Sequence, residues 1–150
     1  MTTGRIGRWM TAIGLLLLAG VYIRALKFTP IQATQGRAQK IFYVHVPAAW
    51  SAMLAMGLVG LASILFLLLK DERYDRFAAA SAEVGTVFSL VMLTTGPLWA
   101  RPVWGTWWTW DARLTLTLML FFLFVGYQLL RGVVNEPALR AQYAAVVGIC

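Results

Sequence analysis

The stretch Gly96-Pro-Leu-Trp-Ala-Arg-Pro-Val-Trp-Gly-Thr-Trp-Trp-Thr-Trp-Asp-Ala-Arg-Leu-Thr115 carries five of the seven tryptophans of a 150-residue chain, with an apolar run on each side of it. Gly105, Pro97 and Pro102 predict that at least its first half lies outside regular helix, because proline lacks the N–H that a helix interior uses. Trp99, Trp104, Trp107, Trp108 and Trp110 then form an aromatic platform of large flat faces, each with one N–H donor. Such a surface suits a large flat ligand.

Outward from the platform, composition fixes the solvent. A chain that is 60% hydrophobic and 13% charged, with a mean hydropathy of +0.71, is too apolar for an ordinary soluble domain and reads as a polytopic membrane protein. The formal charge of +7 does not point to nucleic acid, because the 13 lysines and arginines are scattered in ones and twos between apolar runs. They read as charges at the edges of a lipid bilayer. The single cysteine, Cys150, excludes an internal disulfide, a cysteine-rich zinc site and a Cys-x-x-Cys-His attachment sequence.

The runs give the expected architecture. After Arg5 and Arg8, residues Trp9 to about Leu26 approach the roughly 20 residues a bilayer requires. A cleavable signal peptide is disfavoured, because no small-x-small site follows and Arg24 and Lys27 close the run. Lys27 to Lys40 is polar, a loop or short surface helix. Pro47 suits the first position of helix 2, which makes Val46 its cap, leaves His45 just outside at the membrane edge and carries the helix to Leu69. A charged turn, 70–76, precedes helix 3, Phe77 to Leu98, and Asp111 is placed to cap helix 4, Ala112 to Leu130. A polar loop, Arg131 to Gln142, leads to a fifth apolar run of eight residues from Tyr143, far too short to span.

The fold class expected is therefore an all-α transmembrane helix bundle. It is one domain, 1–150, with four complete spans and a chain cut inside its fifth helix. Counting spans puts His45 and the tryptophan segment on the same face of the membrane. Charge does not orient the bundle, because seven lysines and arginines fall on one side and six on the other.

Simpler roles compete at each residue. Trp9 and Trp50 read as anchors at the membrane edge. Five tryptophans within twelve residues exceed what anchoring needs, so Trp99, Trp104, Trp107, Trp108 and Trp110 are ligand-stacking candidates. Asp111 has a structural role as helix cap. Arg101 and Arg113 suit anionic groups, of a ligand or of lipid phosphates; Arg37 and Lys40 are weaker candidates. Glu83 reads as an intramembrane carboxylate in a structural role, and Gly57 and Gly60 as packing residues. No nucleophile with its base, phosphate loop or metal-ligand cluster points to an enzyme.

Trp104-Gly-Thr-Trp-Trp-Thr-Trp-Asp111 resembles the tryptophan-rich WWD signature of membrane proteins that handle haem in cytochrome c biogenesis. The continuation Ala112-Arg-Leu-Thr115 resembles the haem exporter protein C (CcmC) branch rather than the haem lyase or system II branches, and Phe42-Tyr-Val-His-Val-Pro-Ala-Ala-Trp50 is similar to that branch's first external ligand motif. The resemblance implies six spans, a cytoplasmic N-terminus in the bacterial inner membrane, and a periplasmic tryptophan segment. It implies haem b held without covalent links, with His45 as an axial ligand to the iron. Trp99, Trp104, Trp107, Trp108, Trp110, Asp111, Arg101 and Arg113 would surround it, and a second ligand histidine would lie beyond Cys150. It also implies partners: a periplasmic haem chaperone of the CcmE type, the ATPase and membrane subunits of an ABC transporter, and a small single-span subunit. ATP hydrolysis would belong to a partner. Two other classes compete, a haem lyase that attaches haem to apocytochrome and a structural transporter subunit with no ligand of its own.

Overall fold

A computed structural model describes residues 2–150. Helix α1, Thr2–Ile23, runs into a π-helical turn, Arg24–Phe28; α2 is Gln39–Leu69, α3 Glu72–Trp104, α4 Ala112–Val133 and α5 Pro137–Ile149. Among the described residues, four helical segments, α1 with its π-helical end and α2 to α4, are long and apolar enough to cross a membrane. The expected all-α, multi-pass bundle is what the chain forms.

The centre of the bundle is the α2–α3 hairpin. Its buried faces are built from small residues at helical spacing, Ala48, Ala52, Ala55, Val59 and Ala62 on α2 and Ala78, Ala82, Gly85, Ser89 and Met92 on α3. Apolar side chains gain little by leaving lipid, so such helices associate through close packing, which small residues permit. Phe124 of α4 fills the notch at Gly85, where a Cβ would collide with its ring. Gly60 of α2 lies against the Gly148 carbonyl of α5, 3.4 Å from where its Cβ would be, so it is the packing residue the sequence suggests; Gly57 faces open space and is not. Glu83 is exposed on α3 rather than turned into the bundle. From Gly4 to Gly20 every residue of α1 is exposed, and its π-helical end is the part that meets α2.

Local chemistry sets the helix ends. Lys70, left-handed at φ 55°, returns its N–H to the Phe66 carbonyl at 2.8 Å. Asp71 then opens α3 by accepting from the Arg73 N–H at 2.9 Å. Asp111 caps α4 as expected, accepting from the Leu114 N–H at 3.0 Å. Glu136 accepts from the Leu139 N–H at 2.9 Å, so α5 starts at Pro137 inside the segment expected to be loop. At this end of the bundle Arg131 of α4 and Asp75 of α3 form a bidentate pair, 2.5 and 3.0 Å, with side chains only 17% and 12% exposed.

Two expectations are corrected here. His45 is not outside helix 2: α2 begins at Gln39 and runs through Pro47, which places the imidazole inside the helix. The first half of the tryptophan stretch is also helical, since α3 continues through Pro97 and Pro102 to Trp104 and stops only at left-handed Gly105 (φ 78°), whose N–H returns to the Arg101 carbonyl at 3.0 Å. Proline removes one helical N–H bond and crowds the carbonyl four residues back, which in water usually kinks or ends the helix. Near lipid an unwound backbone would lack water to pair with, and the helix continues past the missing bond.

Candidate functional site

Running α2 and α3 antiparallel brings the first turns of α2 beside the last turns of α3. Between them and the start of α4 lies a cavity of about 420 Å³, within the usual range for small-molecule sites. Its α2 wall is Phe42, His45, Val46, Ala49, Trp50 and Met53, one helix face at three- and four-residue spacing. Met92, Gly96, Trp99 and Trp104 contribute from α3, Trp107 and Trp108 from the connecting loop, and Arg113 and Leu114 from α4.

His45 is half-buried in this wall. Its Nδ1 lies 3.0 Å from the Thr95 hydroxyl oxygen, and Gly96 lies beside the ring. Among the described residues no hydrogen bond engages Nε2. Trp99 and Trp104 meet edge to face, centroids 4.9 Å apart at 80°, and Phe42 adds a third ring at 5.9 Å from Trp99. The Trp99 indole N–H donates to Gln35 Oε1 at 3.3 Å, which ties the segment between α1 and α2 to the platform. Arg113 stacks on Trp104 with its guanidinium carbon 5.1 Å from the ring centre. The Trp108 N–H is buried without an acceptor among the described residues, an uncompensated donor at the cavity wall.

Of the residues expected at the site, His45, Trp99, Trp104, Trp107, Trp108 and Arg113 come together. Trp110, 77% exposed, packs edge to face on Trp108 at 5.8 Å from outside the cavity. Arg101 turns to the Gly105 carbonyl. Asp111 is occupied as a cap, accepting from the Leu114 N–H and, at 2.7 Å, from the Thr109 hydroxyl; these two donors, the first above all, hold its exposed carboxyl below the usual range. Several residues had no site role of their own in the sequence reading, among them Val46, Ala49, Met53, Met92, Gly96 and Leu114 in the cavity wall and Thr95 beside His45, and Phe42 entered only as part of the ligand motif. Trp50 was read as a membrane anchor and lines the cavity. The spacing of Phe42, His45, Ala49 and Met53 is the sequence signal for this wall, hidden by reading Pro47 as a helix start.

A half-buried imidazole, flat aromatic walls and a cation at the rim suit a flat, metal-bearing, anionic ring. The family model CcmC, described as Heme exporter protein C, matches residues 1–150. The chain belongs to the heme exporter protein C family. Members of that name from Bradyrhizobium diazoefficiens and Rhodobacter capsulatus are 41% and 37% identical to it over 146 residues, 97% of this chain. A putative cytochrome c biosynthesis ccmC-like mitochondrial protein of Marchantia polymorpha is 45% identical over 97 residues, 65% of this chain and 42% of that protein. The chain spans 55% and 60% of the length of the two bacterial family members.

Proposed function

We propose that this cavity holds haem b without covalent attachment and presents it at the periplasmic face of the inner membrane, with His45 as an axial ligand to the iron. One observation carries the reading: a half-buried imidazole with Nε2 unengaged stands in the wall of an aromatic cavity whose rim bears Arg113. Bound haem supplies an iron that accepts a nitrogen ligand, a wide apolar face and two carboxylates. Trp99, Trp104, Trp107 and Phe42 provide apolar surface for the ring. Arg113 can exchange its stacking on Trp104 for a charge-assisted bond to a propionate. Trp110, Asp111 and Arg101 shape the rim, Asp111 by holding the start of α4 and with it Arg113.

The family membership supports a place in cytochrome c biogenesis. In this reading the chain hands haem to a periplasmic chaperone of the CcmE type. It works alongside ABC-transporter subunits, which hydrolyse ATP, and a small single-span subunit. Its own role is transfer rather than catalysis. The test is an absorption spectrum of the detergent-purified protein titrated with haem: a saturable Soret shift at one equivalent is expected, and spectra indistinguishable from free haem in detergent would overturn the reading.

A further inference from the structure

We propose that Thr95 is a positioning residue that holds His45 in the Nδ1–H tautomer, leaving the Nε2 lone pair as the atom that meets a ligand in the cavity. The tautomer follows from one hydroxyl's proton count. Thr95 Oγ1 is 2.6 Å from the Val91 carbonyl, one helical turn back, an arrangement threonine commonly adopts in helices. Its single proton is spent on that bond, so Oγ1 offers His45 only lone pairs. A hydrogen bond over the 3.0 Å to Nδ1 then requires the proton to sit on Nδ1. In water a neutral imidazole prefers the opposite tautomer, so the protein sets this one.

Gly96 makes the contact possible. A Cβ there would stand 3.1 Å from Cε1 and 3.7 Å from Nδ1, so a side chain would require the ring to give by a few tenths of an ångström. Thr95 and Gly96 together form a seat for the imidazole, one supplying the acceptor and the other the clearance. Metal-binding histidines are commonly held by such a bond from the second ring nitrogen, which fixes tautomer and orientation and raises ligand basicity. The proposal rests on the haem reading for its purpose, but the tautomer itself is a property of the ligand-free protein.

The experiment uses that separation. The chain has one histidine, so incorporating ¹⁵N-histidine labels His45 alone, and NMR of the protein without haem, at a pH where the ring is neutral, reads which nitrogen carries the proton. The wild type should show a proton-bearing Nδ1 and a pyridine-like Nε2. Thr95→Val, close in shape but unable to accept, should raise the Nε2–H share severalfold and weaken haem binding about tenfold, whereas Thr95→Ser should match the wild type in both. A wild type dominated by Nε2–H, or a tautomer ratio unchanged in Thr95→Val, overturns the role given to Thr95 even if haem binds. The expected tautomer shift in a wild type that binds no haem upholds that role and overturns the haem reading instead.

Discussion

Gly96 lies so close to the imidazole of His45 that a Cβ built on it would be 3.1 Å from Cε1, a contact tight enough to displace the ring. Gly96→Ala should therefore weaken haem binding by about tenfold, the lower end of what loss of ligand orientation costs. Alanine is favoured over glycine in a helix interior by roughly 0.5–1 kcal/mol, so thermal stability should hold or rise. Haem titration alongside thermal unfolding checks this; unchanged affinity would show that the ring has room to yield.

Trp107 and Trp108 should behave differently. The Trp108 N–H is buried without an acceptor, whereas Trp107 is 54% exposed. Trp108→Phe removes a buried donor that has no acceptor and keeps an aromatic ring, so thermal stability should hold or rise. Trp107→Phe changes an exposed ring and should leave stability near the wild type. A Trp108→Phe variant that unfolds well below the wild type would contradict this division.

Asp111 separates capping from charge. Asn caps about as well as Asp, while Ala at a cap costs about 1 kcal/mol, so Asp111→Asn should leave thermal stability near wild type and Asp111→Ala should lower it. The Asp111 carboxyl is held below its usual range by the Leu114 N–H and then the Thr109 hydroxyl. Its stabilising contribution is thus complete above the unfolded-state value and is lost as pH falls through the lower, folded one. An acid unfolding profile that is less steep in Asp111→Asn would show this.

The far end of the bundle tests stability apart from the site. Arg131→Met leaves the part-buried Asp75 without its partner, a change that should cost less than the roughly 3–5 kcal/mol of a fully buried pair, whereas replacing both members with apolar residues is often close to neutral. Thermal unfolding should show Arg131→Met well below the wild type and the Asp75→Leu/Arg131→Leu pair recovering most of the loss. Haem affinity should not move in the double variant.

Much of this was legible in the sequence. Apolar runs of membrane length gave four spans, the Asp111 cap gave the start of α4, and counting spans put His45 on the same face as the tryptophans. Helix ends near proline were not legible, because the missing N–H and ring clash that stop a helix in water are outweighed where unwound backbone would have no water to pair with. Pro47, Pro97 and Pro102 all lie inside helices here. That error hid the single helical face that joins Phe42 to Met53, although the Phe42–Trp50 motif itself was recognised. The seat of His45 was also hidden, because Thr95 and Gly96 stand some fifty residues away and become its neighbours only through the packing of α2 on α3. The Asp75–Arg131 pair escaped for the same reason: each residue reads locally as a charge at a membrane edge.

The central claim is that His45 ligates haem iron in this cavity. The most direct measurement is the Soret spectrum of the wild type and of His45→Ala, each loaded with haem and then titrated with free imidazole. The account predicts a histidine-ligated spectrum only in the wild type, loss of most haem from His45→Ala, and recovery of bound haem in that variant when imidazole enters the vacated space. Equal haem affinity and identical spectra in the two proteins, with no response of the variant to imidazole, would contradict it.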